Sequence, residues 1–335
     1  MLSLQEGQYI LDCFHVEIKL ISIDVLQECY DFQKIRLVYV FNLESNEHLV
    51  CRIIREKHYD KELIEKQSQF ANFLYCNGII TPHKINFNGN YCLRIKLSEG
   101  FFLVTLEEFM GKDLEVADLE TFFMFGTLLG NIHSLSEKYK FSINFSVVLQ
   151  ALETGNAKFS KIISRLPDFI AHHELIQKIS FLHDSLVDKV KSIWKNLPKG
   201  TVHGDLGIYN NLVTTSKGLG IIDFNLAGDE VFLGDLLSSF YSSIHKFTWR
   251  EKLRNIKLQD ATTAFFSGYF EKRKLIKNEI SVLPEIASLF DGLFYCKSIF
   301  EEANYNNKKE HIVERINNAI GHFALENHTT ELFLC

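Results

Sequence analysis

The sequence predicts an α+β protein in two lobes, a small antiparallel sheet lobe followed by a larger, mainly helical lobe. Short runs rich in Ile, Val, Leu and Tyr fill the first third of the chain, and apolar positions recur at helical spacing from residue 118 onwards. The two patterns meet where an apolar strand ends in acidic residues and a glycine. We therefore predict a lobe over residues 1–107, a hinge over 108–112 and a second lobe over 113–335.

Strand and helix patterns alternate within the first lobe. A short amphipathic element opens the chain at residues 8–20. The helix predicted over residues 60–76 ends at Asn77 and Gly78, a typical C-terminal stop. The predicted strands are 21–26, 35–43, 48–54, 91–96 and 101–107, with a hairpin turn at 44–47. The lobe is thus predicted to hold three strands, a helix and two further strands.

Helical periodicity dominates the second lobe. The helix predicted over residues 118–136 carries Gly126 and Gly130 four positions apart, so both lie on one face and permit another helix to pack closely. His133 near its end fits a structural role at least as well as a catalytic one. Further helical segments are predicted over 141–196 with a break near Pro167, and over 236–246, 249–273, 281–303 and 308–325.

Composition excludes several classes of protein. The net charge of −6 argues against a nucleic-acid partner held by phosphate contacts. None of the seven cysteines forms a Cys-x-x-Cys pair, and reduced thiols in a cytosolic protein are the expected state. The N-terminus has no signal-peptide pattern, and no apolar run approaches membrane-spanning length. We therefore predict a cytoplasmic protein without a membrane partner, and the oligomeric state stays open.

One stretch, residues 202–236, combines the groups that phosphoryl transfer requires. Asp205 follows a short apolar run at a glycine-containing turn, Asn210 lies five positions on, and Asp223 follows the pair Ile221-Ile222. Two apolar runs flank the turn at 214–220, so they predict a hairpin that returns Asp223 to the side of Asn210. Singly, each residue is ordinary turn chemistry. Together, they fit one carboxylate for the attacking hydroxyl and two oxygen ligands for magnesium.

The same residues resemble a known family. His203-Gly-Asp205-Leu followed by Asn210, then Ile-Asp223-Phe and Gly-Asp235-Leu, is similar to the aminoglycoside phosphotransferase and choline kinase superfamily, whose fold is protein-kinase-like. The resemblance implies that Asp205 is the catalytic base and that Asn210 and Asp223 bind Mg²⁺. It also implies that His203 orders the catalytic loop and that Asp235 braces it. The implied co-substrate is ATP or GTP.

Two departures from the family pattern concern the nucleotide site. Arg52 stands where such kinases usually carry a lysine, and its fork of donors differs in geometry from an ammonium group. Its predicted partner is Glu62 or Glu65, and we favour Glu65 because it lies deeper in the helix. The segment expected to cover the phosphates, 27–34, contains no glycine, which leaves side chains such as Gln33 or Lys34 as substitute donors.

The leading hypothesis is an ATP- and Mg²⁺-dependent kinase for a small-molecule hydroxyl, and an aminoglycoside-type antibiotic or a small amino alcohol is the favoured acceptor. Choline, homoserine, a methylthio sugar or another metabolite alcohol fits the motifs equally well. The resemblance implies that hinge groups at Glu108 and Met110 contact the nucleotide base. The alternative is a pseudokinase or nucleotide-binding regulatory module without turnover. Candidate carboxylates for a polycationic acceptor are Asp229, Glu230, Glu301 and Glu302, and candidate aromatic groups for a quaternary amine are Trp249 and Tyr295.

Overall fold

The computed structural model forms two compact units. Its described residues are 2–31, 34–114, 117–159, 174–209, 211–246, 256–305, 309–328 and 333. The first unit combines residues 1–112 with residues 213–225, and the second combines 113–212 with 226–335. The hairpin within residues 213–225 thus belongs to the first unit, whereas the sequence pattern put all residues after 112 in the second lobe.

The first unit is built on an antiparallel six-stranded sheet. Its elements are α1 (Leu4–Cys13), β1 (Leu20–Asp31), β2 (Lys34–Leu43), β3 (His48–Arg55), α2 (Lys61–Cys76), β4 (Lys84–Ile85), β5 (Cys92–Leu97) and β6 (Gly100–Glu108). The strand order is β1-β2-β3-β6-β4, and β5 pairs with the same strand β6. Apolar side chains alternate into a core that includes the fully buried Tyr39, Phe41, Cys51 and Leu106. This core fixes the register of the central strands, and with it the faces on which their charged residues lie.

The predicted phosphate-covering segment is mostly strand. Strand β1 runs to Asp31 and β2 begins at Lys34, so most of the segment 27–34 belongs to these two strands. A loop over 27–34 is therefore wrong, because strand pairing continues across most of it. Gln33 lies outside the described residues, and of Lys34 only the backbone is described. The predicted helix 60–76 is confirmed as α2, whose first turn is capped by the Asp60 carboxylate.

The second unit is mainly helical. Its helices are α3 (Leu119–Ser136), α4 (Val148–Thr154), α5 (Glu174–Trp194), α6 (Phe232–Ile244), α7 (Leu258–Phe270), α8 (Lys277–Tyr305) and α9 (Lys309–His322). Short strands Lys199–Val202 and Gly228–Val231 pair as a two-stranded antiparallel sheet. The residues around Pro167 and the first part of the helix predicted over 249–273 lie outside the described residues. None of the described helices is both long and apolar enough to cross a membrane.

Close packing of α3 against α7 confirms the role predicted for the two glycines. A Cβ atom added at Gly126 would lie 1.9 Å from the carbonyl oxygen of Phe265, and one at Gly130 would lie 2.7 Å from that of Tyr269. Gly268 on α7 makes the reciprocal approach, 2.1 Å from the carbonyl oxygen of Phe123. Backbones approach this closely only where side chains are absent.

Candidate active site

In the first unit, Asp223 lies on a loop anchored to α2. The hairpin Leu212–Thr215 and Gly218–Ile221 leads into it, as the sequence predicted. Asp223 has φ +66°, a left-handed conformation that Asp tolerates better than most residues. The next side chain, Phe224, is buried edge-on against Phe70, and Gln67 donates a hydrogen bond to the Asn225 carbonyl (2.8 Å). Helix α2 thus fixes the backbone that presents the Asp223 carboxylate.

Two guanidinium groups face the Asp223 carboxylate. Arg36 Nη2 lies 3.4 Å from both carboxylate oxygens, and Arg52 Nη1 lies 3.5 Å from Oδ1. The Asn225 side-chain amide also donates to Oδ1. The Nε atom of Arg36 is buried and has no hydrogen-bond acceptor within the described part of the chain. A carboxylate among cations, with a donor left over, suits a site for phosphate and metal.

The partner of Arg52 is Glu107, which corrects the predicted pairing with Glu65. Arg52 donates from Nε (3.2 Å) and Nη2 (3.1 Å) to one Glu107 oxygen. Strands β3 and β6 place Arg52 opposite Thr105, so Glu107 is its diagonal neighbour on the same face. Glu65 instead accepts hydrogen bonds from the Tyr91 and Cys92 amides, at 2.9 and 2.8 Å.

The other candidate, Glu62, is also occupied elsewhere. Its carboxylate pairs with Lys66 (2.8 Å) on the exposed face of α2. Lys84, a buried lysine on the two-residue strand β4, donates a hydrogen bond to the second oxygen of Glu107. Burial favours the neutral carboxyl, but Lys84 and Arg52 outweigh it and lower the pKa of Glu107 to about 2. Burial lowers the pKa of Arg52, but the carboxylates of Glu107 and Asp223 outweigh it and raise that pKa.

Arg36, Lys84 and Glu107 were not identified as site residues from the sequence. Lys84 lies on a strand too short to give a period-2 pattern. Arg36 lies within the predicted strand 35–43, where a single charged residue carries no sign of a role at the site. With these residues, the cluster holds three cations and two carboxylates, which leaves positive charge for phosphate groups.

The hinge residues stay a prediction for base binding. The Glu108 amide donates to the His83 carbonyl (3.0 Å), and the Phe109 amide donates to the His48 carbonyl (2.9 Å). Met110 packs close to Gly220, where an added Cβ atom would lie 2.9 Å from its Cε. Since the Glu108 N–H is committed within the protein, Met110 is the better of the two predicted contacts.

In the second unit, Asp205 lies just after the strand Lys199–Val202. His203 is fully buried and Asp205 is exposed. Gly204 between them has φ +81°, and a Cβ atom there would lie 2.2 Å from the Leu226 carbonyl oxygen. Only glycine fits at this position. Gly204 therefore permits the backbone conformation that separates the buried His203 from the exposed Asp205. Asn210 lies outside the described residues, and its role as a metal ligand stays a prediction.

Asp235 forms a buried pair with His133. His133 Nε2 lies 3.0 Å from Asp235 Oδ2, and Nδ1 lies 2.8 Å from the Tyr269 hydroxyl. Burial lowers the pKa of His133, although Asp235 opposes that shift. His133 is therefore a structural link between α3, α6 and α7. The predicted bracing of the catalytic loop by Asp235 stays a prediction.

A cavity of about 330 Å³ adjoins Asp205 within the second unit. Its described lining comes from α4, α5, the catalytic loop, α6 and α8. Most of the wall is apolar, and its polar groups include Asp205, Ser238, Ser242, Lys246, Lys297 and Glu301. The volume suits a small organic molecule, and an exposed carboxylate at its edge suits an acceptor hydroxyl.

Of the four carboxylates considered for a polycationic acceptor, only Glu301 lines this cavity. Asp229 accepts from Thr201 (2.9 Å) and the Asn144 amide (3.0 Å). Glu230 accepts from the Trp194 indole (2.9 Å), and Glu302 pairs with Arg315. Tyr295 stacks on His322 with ring centroids 3.7 Å apart and is not part of the described lining, while Trp249 lies outside the described residues.

The fold is shared with solved kinases at low sequence identity. An amicoumacin kinase in complex with AMP-PNP, Ca²⁺ and Ami has a TM-score of 0.63 and 14% identity, covering 97% of this chain and 96% of that chain. A microcompartment-associated aminopropanol kinase has a TM-score of 0.62 and 15% identity, covering 98% and 99%. An aminoglycoside phosphotransferase from Alicyclobacillus acidocaldarius has a TM-score of 0.58 and 12% identity, covering 92% and 91%. A comparison with curated protein sequences gave no match.

The chain thus shares the fold of solved small-molecule kinases. Residues 35–270, more than half of the chain, match the model of the phosphotransferase enzyme family (APH). The chain belongs to that family, and it is a small-molecule phosphotransferase. The predicted α+β two-lobe fold and the resemblance stated above are confirmed.

Proposed function

We propose that the protein transfers the γ-phosphoryl group of ATP to a hydroxyl group of a small molecule in a Mg²⁺-dependent reaction. The observation that carries the proposal is the exposed carboxylate of Asp205 at the edge of a cavity of about 330 Å³. Within the first unit, the cations around Asp223 and Glu107 support a place for nucleotide phosphates.

Asp205 would act on the acceptor. Its carboxylate accepts a hydrogen bond from the acceptor hydroxyl and takes up the proton as the oxygen attacks the γ-phosphorus. A new O–P bond forms, the bond from the γ-phosphorus to the bridging oxygen breaks, and ADP leaves with that electron pair. The proton then passes from Asp205 to solvent. The cavity wall holds the acceptor, which converts an encounter into an oriented attack.

The residues present fit the nucleotide and its metal. Asp223 offers oxygen ligands, and Asn210 is the second predicted ligand. Bound Mg²⁺ supplies neutralising charge on the phosphate oxygens. Arg36 and Arg52 contact the Asp223 carboxylate. If Asp223 bound the metal, both guanidinium groups would be available to donate hydrogen bonds to phosphate oxygens.

The first prediction concerns Asp205→Asn and Asp223→Asn. Each variant removes one charge with little change in shape, so we expect turnover to fall by roughly three orders of magnitude or more. ADP release and phosphate-ester formation with an accepted alcohol measure the loss, and thermal unfolding verifies the fold. Asp260→Asn is the matched control, because Asp260 is exposed on α7 outside the cavity. Near-normal turnover in either site variant would show that the assignment is wrong.

One observation favours the alternative of a regulatory module without turnover. Arg52 and Lys84, the buried cations of the first unit, are both bound to Glu107 rather than held apart for phosphate. Nucleotide and Mg²⁺ should raise the melting temperature under both hypotheses. Only the kinase hypothesis expects phosphate ester from an alcohol panel in an Asp205-dependent manner.

A further inference from the structure

Two lysines line the same cavity as Asp205, and neither forms an ion pair with a carboxylate in the part of the chain that the structure describes. Lys246 follows the end of α6, and Lys297 lies on α8, one turn before Glu301. No carboxylate among the described residues lies within ion-pair distance of either ammonium group. A cation without a partner at the wall of a binding cavity is available to a ligand.

Other basic residues of the second unit behave differently. Arg273 pairs with Glu279 (3.0 Å), Arg315 pairs with Glu302, and Lys189 pairs with Glu285 (2.7 Å). These pairs tie helices together, as buried or half-buried ion pairs commonly do. Lys246 and Lys297 differ from these residues because they line the cavity next to Asp205 and are not engaged by a carboxylate of the described residues.

The cavity is poorly suited to a polycation. Asp205 and Glu301 are the only carboxylates among its described lining residues, and Asp205 is needed for the acceptor hydroxyl. A ligand with several ammonium groups would therefore meet two lysines and one remaining carboxylate. Val148, Leu152, Leu293 and Phe294 add an apolar wall that favours a carbon skeleton over a heavily hydroxylated sugar.

From this arrangement we infer that the acceptor is a hydroxy acid, an alcohol with an apolar body and a carboxylate group. The inference rests on the proposed function and names its substrate class. The carboxylate binds Lys246 and Lys297, the carbon skeleton packs on the apolar wall, and the hydroxyl reaches Asp205. The transferred phosphoryl group forms an ester with that hydroxyl, ADP is released, and the hydroxyl proton goes to Asp205.

The test uses sets of alcohols that differ only in the charge of one group. One set is para-hydroxymethylbenzoate, its amide and para-hydroxymethylbenzylamine, and a second has an aliphatic chain ending in a carboxylate, an amide or an amine. We expect kcat/KM, from ADP release with the full-length protein, to be about tenfold or more higher for the carboxylate member. An aminoglycoside serves as the polycationic comparison.

Variants locate the effect. Lys246→Met and Lys297→Met keep the aliphatic stem, so each should raise KM for the hydroxy acid about tenfold, with little change in kcat and none in KM for the amide. Lys274→Met is the matched control, because Lys274 is exposed in the same unit and outside the cavity. The charge reversal Lys297→Glu should shift preference toward the amine.

The outcomes separate the two proposals. If alcohols are phosphorylated but the carboxylate gives no advantage, or the lysine variants leave KM unchanged, the hydroxy-acid inference is overturned and the kinase proposal stands. If no alcohol of any charge yields phosphate ester while nucleotide still raises the melting temperature, the proposed function itself fails.

Discussion

At the scale of single residues, Glu107 is the counter-charge of two cations in the first unit. Its buried carboxylate binds Arg52 and Lys84, which lie on different strands. Glu107→Gln keeps the shape but leaves two poorly solvated cations without a counter-charge. We therefore expect the free energy of unfolding at pH 7 to fall by about 3–5 kcal/mol, measured by urea denaturation.

A matched control separates this effect from the loss of any surface charge. Glu271 is exposed in the second unit and has no ion pair within the described residues, so Glu271→Gln should change stability by less than about 0.5 kcal/mol. Equal stability of the two variants would mean that the carboxylate contributes little to the fold of the first unit.

The sequence predicted candidate site residues where a local motif marks them, but it did not predict ion pairs between residues that are distant in the chain. Asp205 and Asp223 stand out because glycine, turn and apolar runs recur within a few positions of each. The partner of Arg52 lies 55 positions away and depends on the register of β3 against β6. Register is set by the whole apolar pattern of a sheet, so one strand does not reveal which charges meet.

At the scale of elements, the contact between α3 and α7 depends on absent side chains. Gly126→Ala would place a methyl group 1.9 Å from the Phe265 carbonyl oxygen, so the helices must move apart. We expect a loss of about 1–3 kcal/mol in the free energy of unfolding, despite the better helix propensity of Ala. Denaturant titration followed by circular dichroism measures it.

Gly321 supplies the comparison. It lies in α9, and the nearest atom to an added Cβ is 3.9 Å away, so Gly321→Ala should stabilise the protein by about 0.5–1 kcal/mol. The close contact would be refuted if both alanine variants gained stability. The spacing of Gly126 and Gly130 predicted this packing, because four residues return a helix to the same face. The identity of the opposing helix could not be predicted, since it lies more than a hundred positions away.

At the scale of the whole molecule, periodicity alone predicted a strand-rich first part of the chain and a helix-rich second part, as the elements show. The cavity was not predicted, because its wall is assembled from five elements distributed between residues 147 and 301. Each contributes a few side chains whose direction depends on how the helices pack. The sequence therefore predicted the class of reaction from one local motif and left the acceptor open.

The pH dependence of stability should report on both units. Glu107 in the first unit has a pKa of about 2. In the second unit, burial raises the pKa of Asp291, but hydrogen bonds from His245 and His322 outweigh burial and hold that pKa well below its usual value. A depressed folded-state pKa stabilises above the unfolded value of about 4 and loses that contribution as pH falls. We expect the free energy of unfolding to drop between about pH 5 and pH 2, with a slope of about 1.4 kcal/mol per pH unit for each carboxylate.

The double variant Glu107→Gln, Asp291→Asn should be less stable at pH 7, but its free energy of unfolding should change less with pH across this range. Urea titrations at a series of pH values measure both slopes, and parallel curves would show that other carboxylates govern acid unfolding.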